Sequence, residues 1–148
     1  MNENNNQNLT LVSASEQAEI QRTVVAWLNG YPDKPLAKVD FEYLGKASGL
    51  CVSTVQAAYK TKQYINGGYQ AQYQFQIVYR LIASNADARL TADEALDTMG
   101  EWAENNYPSI PGIIIRKVKR DTGAAVMARY DNNAEDHTIS MTLIYEVI

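Results

Sequence analysis

Tyr64-Ile-Asn-Gly-Gly-Tyr-Gln-Ala-Gln-Tyr-Gln-Phe-Gln-Ile-Val-Tyr-Arg-Leu81 decides the fold. Tyr69, Ala71, Tyr73, Phe75, Ile77, Tyr79 and Leu81 recur at every second position, with Gln70, Gln72, Gln74 and Gln76 between them. Side chains alternate across a strand, so this is one extended strand with an apolar face to bury and a polar, uncharged face opposite. The Asn66-Gly67 pair signals a turn before it. The run from about Leu50 to Gln63, rich in Val, Thr and Tyr, reads as the strand paired through that turn. The quoted strand exceeds the roughly five to six residues usual in globular sheets, which suits a role in assembly.

Working outward, Ser13 stands three residues before Glu16, a capping-box pattern, and Ile20, Val24, Trp27 and Leu28 then recur at helical spacing. Gly30 and Pro32 stop that helix. From about Leu36 the period becomes two, with Val39, Phe41 and Tyr43 alternating with Lys38, Asp40 and Glu42. Beyond the long strand, Asn85 to Arg89 reads as a loop. Thr91 with Glu94 repeats the capping-box logic, and Ala95, Met99, Trp102 and Ala103 form a second helical face that ends over Asn105 to Pro108. Three strands follow, over about Ile113–Lys119, Ala124–Tyr130 and Thr138–Val147. Asp121-Thr-Gly123 is read as the turn between the first two, and Asp131 to Asp136 as a polar loop before the last. The expected fold class is α+β: a two-layer domain over residues 11–148, with a mostly antiparallel sheet covered by two helices in the order α-β-β-β-α-β-β-β. Residues 1–10 read as a polar, flexible arm.

Both helix exits carry Tyr-Pro-x-x-Pro, at Tyr31 to Pro35 and Tyr107 to Pro111, and these hold all four prolines. A duplicated α-β-β-β half would produce the echo, and so would shared helix-stop chemistry.

With 148 residues, 46% of them hydrophobic, the chain supports one core without staples. Cys51 is the only cysteine, which excludes a disulfide within the chain and a multi-cysteine zinc site, and it reads as a small buried hydrophobe. A net charge of -4 argues against specific nucleic-acid binding. The first residues lack the basic and apolar regions of a signal peptide, and Ile113–Ile115 is too short to span a bilayer, so a soluble protein of a reducing cytoplasm is expected.

Chemistry-bearing patterns are sparse. His137, the only histidine, sits beside Glu135 and Asp136 with no nucleophile motif nearby, and reads as a solvated or locally hydrogen-bonded side chain. No phosphate-cradling glycine loop precedes a helix. Asp93, Asp97 and Glu101 form an i, i+4 row, read as a solvated stripe. Arg116, Lys117, Lys119 and Arg120 form a basic cluster, read as a strand end or as a surface for an acidic partner. No catalytic, cofactor-binding or metal-ligating residue is assigned. Tyrosines concentrate around the hairpin, and their large area with a polar tip suits interfaces.

The hairpin Tyr64–Arg80 resembles one in small proteins identified as minor capsid proteins of tailed phages and prophages. The closing segment Glu135-Asp-His-Thr-Ile-Ser-Met-Thr-Leu-Ile-Tyr-Glu146 resembles the same family's last strand, and the Trp-containing second helix with its Asn-Tyr-Pro exit fits between them. The resemblance spans most of residues 16–148 and departs from the family pattern between Arg120 and Asn133. It implies a virion component of the head-tail junction, assembled in the host cytoplasm. In order of elements the chain is similar to tail terminators, which cap the tail tube as a six-membered ring, stop its growth and present a surface to the head. The partners so implied are further copies of the chain, a tail tube protein and a head-tail connector protein, with no cofactor and no membrane. The expected contact regions are the hairpin tip over 59–70, the turn over 119–123 and the loop over 131–137. The candidate interface residues are Tyr59, Tyr64, Asn66, Gly67, Tyr69, Lys119, Arg120, Asp131 and His137. Two alternatives stand beside this reading. One is a small-molecule-binding or enzymatic α+β domain with an aromatic pocket; the other is a different neck, connector or tube component.

Overall fold

The alternating strand lies at the centre of a seven-stranded sheet in the computed structural model, which describes residues 10–148. The elements are β1 (Thr10–Leu11), α1 (Ala14–Asn29), β2 (Asp40–Phe41), β3 (Gly49–Gln63), β4 (Tyr69–Ile82), α2 (Ala86–Asn105), β5 (Ile114–Arg120), β6 (Ala125–Arg129) and β7 (Ala134–Val147). Of the arm expected over 1–10, residues 1–9 lie outside the described residues, and Thr10 pairs with Lys60 in the sheet. β4 runs antiparallel between β3 and β7 and pairs with β7 over its whole length, from Tyr69 opposite Val147 to Ile82 opposite Ala134. The fold is a two-layer α+β domain, with both helices on one face of a mostly antiparallel sheet. Among the described residues, no helix is long and apolar enough to cross a membrane.

The alternation of β4 translates directly into burial. Ala71, Tyr73, Phe75 and Ile77 have no exposed surface, and Gln70, Gln72, Gln74 and Gln76, which alternate with them, are half-buried on the uncovered face. On β7, Ile139, Met141, Leu143 and Tyr145 continue the same buried layer. Against it α1 packs Ile20, Val24 and Leu28, and α2 packs Ala92, Leu96, Met99 and Ala103, the spacing that keeps side chains on one helical stripe. Each fully buried aliphatic or aromatic side chain contributes roughly 1.5–3 kcal/mol. α2 also approaches the sheet closely at Gly100, where a Cβ would lie 2.8 Å from Ile139 Cδ1 and 2.7 Å from Arg120 Cδ.

Several boundaries differ from the sequence reading. α2 begins five residues earlier than Thr91, because Asn85 supplies the cap: its side chain accepts from the Ala88 N–H at 2.9 Å. β2 is only two residues long and runs parallel to β3, so the expected strand from Leu36 contracts to Asp40–Phe41. β7 begins at Ala134, not Thr138. Glu135, Asp136 and His137 therefore belong to a strand, and the polar loop shrinks to Asp131–Asn133. Asp121-Thr-Gly123 does not reverse the chain. β5 and β6 both pair antiparallel with β7, over Glu146–Met141 and then Thr138–Glu135, so they are two parts of one edge strand interrupted at that point. There the Asp121 N–H donates to the Ser140 carbonyl, and Thr122 Oγ1 accepts from the Ser140 N–H.

This edge makes the two halves alike. Each half is a helix followed by a hairpin, and the hairpins meet through β4 and β7. The first closes with the Tyr64 N–H on the Gly68 carbonyl, the second with the Tyr130 N–H on the Ala134 carbonyl. Both loops have three residues and end on a left-handed one, Gly67 (φ 90°) and Asn133 (φ 71°), the turn-plus-bulge geometry of three-residue hairpins. Gly67 and Asn133 are 66 positions apart. So are Phe75 and Met141, which face each other across β4 and β7. An approximate twofold axis therefore passes through that pair. The echoing helix exits do not share an environment, since Tyr31 is buried and Tyr107 is exposed.

Candidate protein-interaction site

An open antiparallel sheet offers two kinds of contact, its edges and its uncovered face. Each edge has two backbone donors occupied from within. On β3, between the short pairings with β1 and β2, Glu42 accepts from the Thr54 N–H at 3.0 Å and from Ser53 Oγ at 2.8 Å. Gln17 of α1 accepts from the Ala58 N–H at 2.7 Å. Glu42 holds φ 55° to do so, an uncommon conformation for a residue with a side chain. On the opposite edge, α2 supplies both caps: Glu104 accepts from the Arg120 N–H and Asp97 from the Ala124 N–H, each at 2.9 Å. Thr54 and Arg120, and likewise Ala58 and Ala124, are 66 positions apart, so the capping follows the same approximate twofold relation. These carboxylates and the Gln17 amide occupy donors that an added strand would need.

The uncovered face carries Gln70, Gln72, Gln74 and Gln76 of β4. Opposite them on β7 stand Glu146, Ile144, Thr142 and Ser140. Lys117 and Lys119 of β5 lie opposite Ile144 and Thr142, on this same face. Towards the hairpin tip, Tyr64 donates to Glu146 Oε2 at 2.8 Å, and Arg116 donates to Glu146 Oε1 at 2.6 Å. These partners hold the Glu146 carboxyl below its ordinary value, the Arg116 hydrogen bond most of all. Ile65 at the tip and Ile148 at the chain end are exposed apolar side chains beside it, with Ile114 partly exposed.

The structure sorts the sequence-predicted residues. Tyr64, Asn66 and Gly67 stand exposed at the tip, and Asp131 is exposed in the second hairpin loop. Lys119 is exposed, 3.7 Å from Asp121. Tyr59 is half-buried and its hydroxyl accepts from Gln72 Nε2. Three residues are committed inward. Tyr69 donates to Glu16, whose other oxygen accepts from Tyr145 Oη at 2.6 Å, so the carboxylate expected to complete the first capping box instead ties α1 to two strands. Burial and the Glu16 hydrogen bond push the Tyr69 hydroxyl up to about 12. Arg120 turns to α2, with its Nε 2.9 Å from Glu104 Oε1. Asp97 and Glu104 are therefore sheet contacts of α2; of the row read as a solvated stripe, only Glu101 remains free in solvent.

Of the two readings of His137, the locally hydrogen-bonded one holds and the solvated one does not; the side chain is fully buried and offers no surface to a partner. Its Nδ1 lies 2.7 Å from Asp93 Oδ1 and its Nε2 lies 2.8 Å from Glu135 Oε1. Arg89 Nε donates to Glu135 at 3.0 Å. Arg89 and Asp93 are one helical turn apart on α2, and Glu135 and His137 share a face of β7, so alternation and helical pitch bring the four together. Burial raises the Glu135 carboxyl, but hydrogen bonds from His137 and Arg89 outweigh it and hold the group below its ordinary value. The two carboxylates sit at opposite ring nitrogens and do not converge on a common point. Among the described residues, no group of three or more His, Cys, Asp or Glu side chains is placed to hold a metal ion. Burial pushes the Cys51 thiol up to about 11, which keeps it out of the nucleophilic thiolate form.

On the uncovered face a second charged pair is built by Arg80 and Asp136. Their atoms meet at 2.7 Å and 2.9 Å, Tyr130 Oη donates to Asp136 at 2.7 Å, and the Gly45 carbonyl accepts from Arg80. An outer groove of about 440 Å³ runs along α1, lined by Ala18, Gln21, Arg22, Val25, Ala26 and Phe41. The aromatic side chains between helices and sheet, Tyr73, Phe75 and Tyr145, are fully buried. Trp27, Trp102 and Tyr31 close the two helix exits against each other, with ring centroids 6.0 Å and 5.2 Å apart.

No family model matches the chain, and no curated protein matches it. Sequence reasoning missed Glu42, Gln17, Asp97 and Glu104 as edge caps. No local signal marks them, because each acts on a backbone group brought near by tertiary packing. Ile65 was also passed over, although an apolar residue inside a turn, flanked by Tyr64 and Asn66, is a signal the sequence does carry.

Proposed function

We propose that this protein is a structural component of a tailed-phage head-tail junction, a tail terminator that caps the tail tube as a ring and presents a surface for head joining. The observation that carries the reading is the sheet. It leaves one face without a helix, uncharged along its central strand from Gln70 to Gln76, while side chains from both helices and from Glu42 occupy two backbone donors on each edge. That combination favours association through faces and loop tips and disfavours open-ended strand addition. The resemblance of the hairpin and closing strand to phage minor capsid proteins supplies the particular assembly. The buried His137, the protonated Cys51 and the filled helix-sheet interior support a non-catalytic role. In this reading capping is by shape: the ring covers the last tube subunits and replaces their polymerising surface with one that accepts the connector.

The test is sedimentation of the purified protein alone and with tail tubes of the phage that encodes it. A ring-sized species, or a monomer that forms one at tube ends, is the expected result, together with arrested tube growth. A monomer that ignores tube ends at every concentration would overturn the reading.

A further inference from the structure

The uncovered sheet face and the outer side of α2 carry opposite charge. Asp87, Glu94 and Glu101 are exposed and seven residues apart, which sets them in one line along α2 at roughly 10.5 Å intervals. None of the three is in an ion pair among the described residues. Leu90 lies between the first two and is 67% exposed, an apolar contact in the middle of the row. Leu90, Glu94, Thr98 and Glu101 line a groove there of about 530 Å³, with Arg120, itself paired to Glu104, also in its wall. On the far side of the molecule, Lys117 and Lys119 project from β5 beside Ile144 and the partly exposed Ile114, with Lys62 at the end of β3. Arg116 is neutralised by Glu146 and Lys119 is only loosely paired, so this patch keeps a positive excess.

We infer that copies of this protein associate head-to-tail, with the α2 carboxylate row of one copy seated on the Lys117–Lys119 side of the next copy's uncovered sheet face. The inference rests on the ring reading above and names the surfaces that would build the ring. Like surfaces repel here, since the exposed α2 row carries only carboxylates and β5 carries only cations. The contact is therefore heterologous, which generates rings when the rotation closes. A second copy is the favoured occupant of the basic face because the same chain carries the matching acidic row and apolar centre. A nucleic acid would be drawn to the same lysines but would leave α2 without a partner.

The experiment is a charge-reversal set read by analytical ultracentrifugation, with circular dichroism to establish that each variant is folded. E94K/E101K alone and K117E/K119E alone should each weaken self-association by at least about tenfold, because every contact then joins like charges. A one-to-one mixture of the two should restore it in alternating order, and so should the quadruple variant carrying both swaps. Glu94→Gln with Glu101→Gln should also weaken association, without introducing repulsion. Wild-type association should fall as salt rises from about 50 mM to about 500 mM. Wild-type oligomers that are indifferent to the reversals would overturn this contact and leave the ring reading standing. Failure of the mixture to restore association would also overturn it, as would loss of K117E/K119E binding to a DNA duplex with self-association intact. A wild-type protein that stays monomeric with and without tube ends would overturn the ring reading and this contact together.

Discussion

Tyr69 and Tyr145 share Glu16, so two phenols from neighbouring strands hold the first turn of α1. Both hydroxyls are raised, by burial first and then by the carboxylate, Tyr69 to about 12. A group raised on folding stabilises fully below its unfolded value and loses that contribution as pH rises through its folded value. Stability should therefore decline between the ordinary tyrosine value of 10.0 and about 12, and Tyr69→Phe should flatten that decline in urea titrations across the range. An unchanged alkaline profile in Tyr69→Phe would remove Tyr69 from the linkage. The two hairpin loops give a paired prediction. Gly67 has φ 90° and open space around it, so Gly67→Ala should cost about 1 kcal/mol by backbone strain alone. Asn133 already bears such a cost at φ 71°, and Asn133→Gly should leave stability unchanged or raise it by up to about 1 kcal/mol. Of these residues, the sequence marked Gly67 through the Asn-Gly signal. The Ser13–Glu16 spacing correctly marked the cap, since Ser13 Oγ accepts from the Glu16 N–H, but the Glu16 carboxylate finds its partners 53 and 129 residues away.

At the scale of elements, periodicity carried β3, β4 and α1, whose apolar faces are set by their own residues. It failed at the start of α2, where two rules competed: Thr91 with Glu94 mimicked a cap, while Asn85 made the actual one. It placed β5 and β6 to within a residue but took the link between them for a reversal, because a bend looks like a turn until the partner strand is known. β7 registers with both segments, and this alone makes them one edge. The start of β7 hid for a different reason. Glu135 and His137 are polar residues on a buried face, affordable there only because Arg89 and Asp93 of α2 answer them. The close approach of α2 to this sheet at Gly100 is testable. Gly100→Val should destabilise the protein by about 1–3 kcal/mol, since the added atoms meet Arg120 and Ile139 at contact distance or less. Thermal unfolding measures it; a neutral result would mean that α2 can lift from the sheet without loss.

For the whole molecule, charge is arranged by layer. Glu135, Asp136 and Glu146 all have carboxyls held below their ordinary values by hydrogen-bond donors, His137 and Arg89 for Glu135, Arg80 and Tyr130 for Asp136, and Arg116 and Tyr64 for Glu146. Depressed carboxyls stabilise above their unfolded values and lose that contribution as pH falls through the folded ones. Acid unfolding should thus begin below pH 4.5 for Glu135 and Glu146, with Asp136 joining below 3.8, and Arg80→Ala should move the midpoint upward. The proposed interface was the less legible part of the sequence, because contact residues are ones that the fold does not need. Ile65 shows the difference. It is fully exposed at the tip of the β3–β4 hairpin, no core residue requires it, and Ile148 adds a second apolar side chain at the same end of the sheet. Surface substitutions away from packing change stability by less than about 0.5 kcal/mol, so Ile65→Ser should leave thermal unfolding where it is. If the tip meets the tube, the same substitution removes one apolar anchor and should weaken tube-end binding by about tenfold, the scale of burying one such side chain at an interface. Co-sedimentation with tubes and a melting curve on the same sample separate the two effects. Binding left intact with an unchanged melt would restrict the tip to turning the chain, and the contact would then fall to the face rather than to the hairpin.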